Sequence, residues 1–356
     1  MKIVFNNSIF FFQKNGGISR YICSLAEELI KKNQDVKIIA SINKNNLLKK
    51  ISPKNKVSFY VKKYPGYKLL ENINNKITNH YIQKFEPNIF HETYYSNYLF
   101  NNNNSKKIIT VYDLIHEKFT NYFTKDKISR KEEVIKNYDH YICISENTKK
   151  DLINIYNVPE KKVSVIHLSG SHYRKSNLTT EKKIKEKSFF LYVGSRETYK
   201  NFKLIVKSFK NNKDFNDHKI ICFGGGKFTI SEKENFKELN ISHVDGGDDI
   251  LVKLYKEAKC LILPSEYEGF GIPALEAMEL GCPVLSSNTP ALKETCGEAA
   301  LYFDPYSQEE LIQKINIIIS NKKIEDDCII KGYQRSKLLS WKNCADKTLD
   351  LYNSLL

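Results

Sequence analysis

The densest chemistry in this sequence lies in Ser265-Glu266-Tyr267-Glu268-Gly269-Phe270-Gly271-Ile272-Pro273-Ala274-Leu275-Glu276. A carboxylate accepts paired hydroxyl hydrogen bonds, so Glu268 and Glu276 suit a sugar or ribose diol. An apolar strand, Cys260–Pro264, comes just before the segment. Gly269 and Gly271 allow the backbone to approach a ligand closely. Pro273 fits the first turn of a helix, where its missing N–H costs nothing. The free amides of that helix start, with its dipole, suit a phosphate. The plainer alternative is an ordinary strand–loop–helix with surface glutamates. A basic pair, Arg196 and Lys200, follows the apolar run Phe189–Val193. Two cations beyond a strand match two phosphates, and Arg binds them bidentately; solvated loop cations are the alternative. Gly16-Gly17 before a helical pattern is by itself a turn signal. Gly224-Gly225-Gly226 also follows a strand, but Thr229 stands where a dinucleotide fingerprint has its third glycine. That run reads as a tight strand–helix turn.

Short β-branched runs alternate with amphipathic helical stretches along the whole chain. Strands are predicted at Lys2–Phe5, Val36–Ala40, Val57–Val61, Ile89–His91, Ile108–Val111, Tyr141–Ile144 and Val163–Ile166. A second set is predicted at Phe189–Val193, Ile220–Phe223, Cys260–Leu263, Val284–Ser286 and Leu301–Phe303. Helix spacing marks Ile18–Lys31, Tyr67–Phe85, Phe202–Phe209, Asp248–Lys259, Pro273–Leu280 and Gln308–Ile319. Such alternation argues for parallel sheets with helices on both faces. Polar residues dominate from Ser169 to Lys187, so the linker is placed at 171–187 between domains 1–170 and 188–340. Two α/β sets then imply a two-lobed α/β protein with a ligand cleft between the lobes.

The chain of 356 residues carries a net charge of +15, which suits polyanionic partners such as nucleic acid, anionic lipid or phosphorylated ligands. A lysine-rich solvated surface explains the charge equally well. No apolar run reaches the ~18 residues that span a bilayer, and the start is too polar for a signal peptide. A cytoplasmic protein is expected. The stretch from Lys54 to Phe85 mixes Lys with Tyr and Phe; it reads either as a surface touching an anionic membrane on its inner face or as a solvated helix face. The eight cysteines have no C-x-x-C spacing and read as reduced core residues.

The segment around Glu268 and Glu276 resembles the E-x7-E motif of family 4 glycosyltransferases (glycosyl transferases group 1), which have the GT-B fold of two Rossmann-like domains facing each other across a cleft. Gly281-Cys-Pro-Val-Leu-Ser and Gly297-Glu-Ala-Ala-Leu-Tyr-Phe-Asp-Pro continue the family pattern. Asn15-Gly16-Gly17-Ile18-Ser19-Arg20-Tyr21, Ser145-Glu-Asn-Thr-Lys-Lys-Asp-Leu and Leu191-Tyr-Val-Gly-Ser-Arg196-Glu-Thr-Tyr-Lys200-Asn201 match other parts of it in order, and Ser340-Trp341 opens a final helix. The resemblance implies that this helix, about 341–356, completes the first domain. It implies a retaining hexosyltransferase that uses a nucleoside diphosphate sugar and acts on a polysaccharide or lipid-linked oligosaccharide. Glu268 would lie near the donor sugar and Glu276 would bind the ribose. Gly16, Gly17, Arg196, Lys200, Phe270, Gly271 and Ile272 would hold the donor phosphates. No metal and no cofactor are implied, because the cations take the metal's place.

One position departs from the family. Many members carry His-Asp after the strand matching Ile108–Val111, and here Tyr112-Asp113 stands there. His116 is the expected substitute beside Asp113, with a structural histidine as the alternative. Tyr94 and Tyr95, after His91, are expected either to line the acceptor side or to pack as core aromatics. The rival functions are a nucleotide-sugar epimerase of the same fold and a basic nucleic-acid-binding protein. The diffuse charge and the lack of a recognition module count against the second.

Overall fold

The computed structural model describes residues 1–62, 67–95, 104–123, 131–170, 189–196, 198–215 and 217–356. The linker expected at 171–187 lies outside them. The chain divides into two compact units, Met1–Leu168 with Trp341–Leu356, and Ser169–Ser340.

The first unit holds seven parallel strands: β1 (Lys2–Phe5), β2 (Asp35–Asn43), β3 (Lys56–Tyr60), β4 (Ile89–Glu92), β5 (Lys106–Val111), β6 (His140–Cys143) and β7 (Val163–Val165). Their order is β3-β2-β1-β4-β5-β6-β7, so the winding reverses between β1 and β4. β4 and β6 are buried along their whole length, as expected for a parallel sheet covered on both faces. The Gly17–Lys31 helix covers one face with Tyr21, Ile22, Leu25, Ala26 and Leu29, one stripe at helical spacing. The Glu146–Tyr156 helix starts where the Ser145 side chain accepts the Thr148 amide and stops at Asn157 in the left-handed region, φ 54°, as cap chemistry dictates.

The final helix, Trp341–Leu355, belongs to this unit. It buries Trp341, Cys344, Ala345, Thr348 and Tyr352. Trp341 leans on Tyr21 with ring centroids 6.0 Å apart, and Lys32 pairs with Asp346. The Tyr352 hydroxyl meets His91 Nδ1 at 2.5 Å, and His91 Nε2 meets Thr110 Oγ1 at 2.8 Å. His91 is thus a fully buried bolt between β4, β5 and this helix.

The second unit has six parallel strands: β8 (Phe189–Val193), β9 (Lys219–Phe223), β10 (Ile241–Val244), β11 (Cys260–Leu263), β12 (Val284–Ser287) and β13 (Ala300–Phe303). Their order is β10-β9-β8-β11-β12-β13, so the reversal falls between β8 and β11. One cluster of rings and aliphatics, including Phe190, Phe202, Phe209, Ile262 and Phe303, forms its core. Five elements not read from the sequence also appear: β10 and the helices Ser8–Phe12, Ile230–Asn235, Pro290–Cys296 and Lys322–Leu338. The first boundary falls after Leu168 rather than at 170. Gly170 lies against the Ile272–Glu279 helix of the second unit, where an added Cβ would come within 2.6 Å of Leu275 Cβ and 2.7 Å of the Glu276 amide nitrogen. All eight cysteines are buried and free. No helix among the described residues is long and apolar enough to cross a membrane.

Candidate functional site

Doubly wound sheets bind ligands outside the carboxyl ends of their strands, where the winding reverses. In the second unit the loops at that point are Gly194–Lys200 after β8 and Pro264–Gly271 after β11. Lys200 ends a single turn of 3-10 helix, Thr198–Lys200. Its Nζ lies 2.7 Å from Glu268 Oε1, which also accepts the Ser265 hydroxyl at 2.8 Å. The Glu266 amide donates to the Tyr199 carbonyl at 2.7 Å and ties the two loops together. The pair is sheltered but reachable, with side-chain exposures of 23% for Lys200 and 12% for Glu268. An ammonium carries three donors, so a phosphate can share Lys200 with Glu268.

Gly271 turns the chain from this loop into the Ile272–Glu279 helix at φ 99°. A Cβ there would approach Leu292 Cδ2 to 2.5 Å, so the position demands glycine on both counts. Thr295 Oγ1 donates to the Phe270 carbonyl at 2.5 Å and fixes the entry. Glu276 is buried within the helix, where its Oε2 accepts the Tyr255 hydroxyl at 3.1 Å. The expected donor residues Lys200, Glu268, Phe270, Gly271, Ile272 and Glu276 therefore all lie on the two loops at the reversal and the helix that leaves it.

Arg196 starts from the same β8 loop and turns elsewhere. Its Nε donates to Glu232 Oε1 at 2.7 Å. Nη1 reaches the Gly224 carbonyl at 3.2 Å, and Nη2 reaches those of Gly225 and Gly226 at 3.4 and 3.0 Å. The resemblance placed this guanidinium on the donor phosphates, whereas here it is spent on the glycine turn after β9. Thr229 and Glu232 form a capping box that opens the Ile230–Asn235 helix.

In the first unit the reversal lies between β1 and β4, and its loops bond to each other. Ser8 Oγ donates to Glu92 Oε1 at 2.7 Å, and Asn6 Nδ2 donates to the same oxygen. Asn6 Oδ1 accepts the Thr93 amide at 2.9 Å and the Thr93 hydroxyl at 2.8 Å. Gly16 sits against Gln13, whose Oε1 would lie 2.3 Å from an added Cβ, and the Gly17–Lys31 helix starts there. Tyr94 packs among Phe12, Tyr95 and Tyr112, with ring centroids 6.2, 5.2 and 6.5 Å away. Burial pushes its hydroxyl up to about 12.

Tyr112, at the family histidine's position, is buried and donates to the Thr93 carbonyl at 3.0 Å. Asp113 Oδ1 accepts the Ile115 amide at 3.2 Å, a local turn contact. The His116 ring lies 4.3 Å from that of Phe123. Glu117, the next residue, takes the Tyr156 hydroxyl at 2.7 Å and pairs with Lys131 at 3.3 Å, both charged groups nearly sealed from solvent.

Sequence reasoning missed the supports: Ser265 for Glu268, Tyr255 for Glu276, Glu232 for Arg196 and Gly170 under the Glu276 helix. Only Glu232 carried a readable signal, the Thr229-x-x-Glu232 spacing of a capping box. Among the described residues no group of three or more His, Cys, Asp or Glu side chains is placed to hold a metal ion.

Comparison with known proteins adds independent findings. The family Glycosyl transferases group 1 matches residues 174–335, and Glycosyltransferase Family 4 matches residues 15–168. The chain is 23% identical over 269 residues to O-antigen chain mannosyltransferase B of Escherichia coli, covering 70% of this chain and 71% of that protein. The matches to two further curated relatives span 59% and 48% of those proteins. Among solved structures, sucrose-phosphate synthase from Thermosynechococcus elongatus superposes with a TM-score of 0.77 at 17% identity, over 99% of this chain and 98% of that one. Anabaena HepE in complex with UDP-glucose gives 0.72 at 14% identity over 98% and 99%. At such identities the likeness speaks for the GT-B fold.

Proposed function

The chain belongs to the group 1 glycosyltransferases, and on that footing we propose that it moves a hexosyl group from a nucleoside diphosphate sugar to a hydroxyl of a saccharide or lipid-linked oligosaccharide, with the anomeric configuration retained. The observation that carries this reading is the meeting of Lys200 and Glu268 at the second unit's reversal, beside the helix that starts at Gly271 and holds Glu276. When the bond from the sugar's anomeric carbon to the diphosphate breaks, the leaving oxygen takes the electron pair. Lys200 and the amides at Gly271 and Ile272 stabilise that charge, a fixed positive field aimed at where negative charge develops. Glu268 meets the sugar and Glu276 the ribose diol. Gly16 and Gly17 keep the phosphate role that the resemblance implies. His116 and Asp113 are assigned no step, nor are Tyr94 and Tyr95.

The mannosyltransferase relative makes GDP-mannose the first donor to try. Thermal unfolding with a panel of UDP-, GDP- and ADP-sugars tests the reading, since a ligand at 100 times its dissociation constant stabilises by ~2.7 kcal/mol. One donor should raise the midpoint, and the product formed from it should keep the donor's anomeric configuration by NMR. No stabilisation by any nucleotide would sink the proposal, and an inverted product would remove retention.

We also propose that the first unit touches an anionic membrane. Phe59 and Leu69 are more than 60% exposed, and Ile73 and Ile77 continue the Leu69 stripe along the Tyr67–Phe85 helix. Lys76 and Lys84 are exposed on the same helix. Vesicles with anionic lipid should sediment the protein at low salt and release it as salt screens the charge. Equal sedimentation with neutral vesicles, or none with either, would discard this contact.

A further inference from the structure

We infer that Arg196 is a positioning residue, which shapes the Gly224–Lys227 turn to receive the nucleoside end of the donor, and that it leaves the phosphates to Lys200. The inference rests on the donor reading above. It begins with what the guanidinium touches. All its donor nitrogens are engaged within the protein: Nε with Glu232 at 2.7 Å, Nη1 with Gly224 at 3.2 Å, and Nη2 with Gly226 at 3.0 Å. Nη2 also reaches the Lys227 carbonyl and Glu232 Oε2, each at 3.4 Å. The Phe228 ring covers the group at 4.8 Å from its centroid, and the side chain is only 6% exposed. Its charge is met by Glu232, whose carboxyl the same hydrogen bond holds below the usual range.

The turn needs such a clamp. Gly224, Gly225 and Gly226 all lie in the left-handed region, at φ 78°, 70° and 75°. Successive left-handed residues point their carbonyls the same way, and glycine has the least barrier to leaving that state. Arg196 collects those carbonyls, and His243 Nε2 holds the Gly224 carbonyl from β10 at 3.2 Å. A Cβ on Gly225 would lie 2.6 Å from the Gly194 carbonyl oxygen and 2.9 Å from Arg196 Nη1. The turn therefore packs directly on the loop that leads to Lys200. It lies at the carboxyl end of β9, the strand beside β8, on the ligand-binding rim of the sheet. A neutralised guanidinium bound to carbonyls offers nothing to a phosphate. An ordered turn of backbone groups suits the uncharged nucleoside.

The test is calorimetry of UDP, UMP, GDP and GMP with the unaltered protein, Arg196→Lys, Glu232→Gln and Lys200→Ala, each checked for an unchanged fold by circular dichroism. Arg196→Lys and Glu232→Gln should weaken the diphosphate and the monophosphate of the preferred base by the same factor, roughly three- to thirty-fold. The ratio of the two affinities should stay as in the unaltered protein. Lys200→Ala should instead weaken the diphosphate more than the monophosphate. A loss in Arg196→Lys that grows with the number of phosphates, or tighter UDP or GDP binding in Glu232→Gln, would make Arg196 a direct phosphate ligand and overturn the inference alone. No nucleotide binding by the unaltered protein would overturn this inference together with the donor reading.

Discussion

At the reversal point of the first sheet the chain answers itself: Asn6, Ser8, Glu92 and Thr93 exchange hydrogen bonds across the ends of β1 and β4, and all four are buried. At the same topological place in the second sheet, Lys200 and Glu268 meet with part of each side chain still in solvent. One winding thus offers two surfaces. Paired neutral groups around one sealed carboxylate hold a shape. An opposite-charge pair at a glycine loop can trade its internal contact for a ligand's. The contrast predicts that substitutions at the second reversal act on the donor, while those at the first act on stability.

Lys200→Ala should give the largest effect. It removes the cation proposed for the leaving phosphate and strands Glu268 beside it. Donor affinity should fall by about 2–5 kcal/mol, the range for truncating one partner of a sheltered charge pair. Titration calorimetry with the preferred nucleoside diphosphate measures it. Unchanged affinity in a folded variant would end the contrast between the two reversals.

The two glutamates sharpen the same comparison. Glu276 binds the ribose in ground and transition states alike, so Glu276→Gln should mainly raise the donor KM, by about 1.5–3 kcal/mol. Glu268 meets the sugar whose charge changes, so Glu268→Gln should lower kcat by a similar amount. Steady-state kinetics separates them, and a pure KM effect from both would demote Glu268 to a binding residue.

The second reversal was largely legible in the sequence and the first was not, for physical reasons. A strand, two glycines and Pro273 dictate a loop and helix start through backbone sterics alone, and cations and carboxylates announce their chemistry by type. Most strands were readable from β-branched runs, and the GT-B fold followed from their alternation with helices and from the family motifs. Asn6, Thr93 and Tyr112 announce nothing: their roles depend on partners some 20 to 90 residues away, such as Thr93 with Asn6 and Tyr112 with Thr93. Arg196 shows the limit even for a charged residue. Its type suggested phosphate, but a neighbouring capping box competes for it. The Lys322–Leu338 helix was missed because its buried residues, Glu325, Cys328, Gly332 and Ser336, form a stripe with little apolar character.

A smaller effect should come from His91 in the first unit. Burial pushes its imidazole from 6.5 down to about 3. Between those values the unfolded chain holds a proton that the folded unit refuses, so stability is whole above about pH 6.5 and falls below it. The slope is about 1.4 kcal/mol per pH unit for one site. Urea unfolding followed by Trp341, the chain's single tryptophan, should lose about 2 kcal/mol from this site between pH 7 and pH 5. His91→Gln should remove that part of the pH dependence. An unchanged slope would show that His91 accepts its proton without unfolding.

Tyr112→Phe should give the smallest effect and the strictest test of the comparison. Tyr112 stands where many family members carry a histidine, so a catalytic reading of the first reversal would fall on its hydroxyl. In the structure that hydroxyl is buried and donates to the Thr93 carbonyl at 3.0 Å, and its ring packs against Tyr21 at 5.9 Å. Phenylalanine keeps the ring and loses one neutral hydrogen bond, worth about 0.5–1.5 kcal/mol. The Trp341-monitored unfolding midpoint should drop by that amount, while kcat and donor KM stay within about twofold, ~0.4 kcal/mol. A tenfold fall in kcat with stability intact would place the Tyr112 hydroxyl on the reacting groups. The first reversal would then be a chemical site like the second, and the division between them would fail.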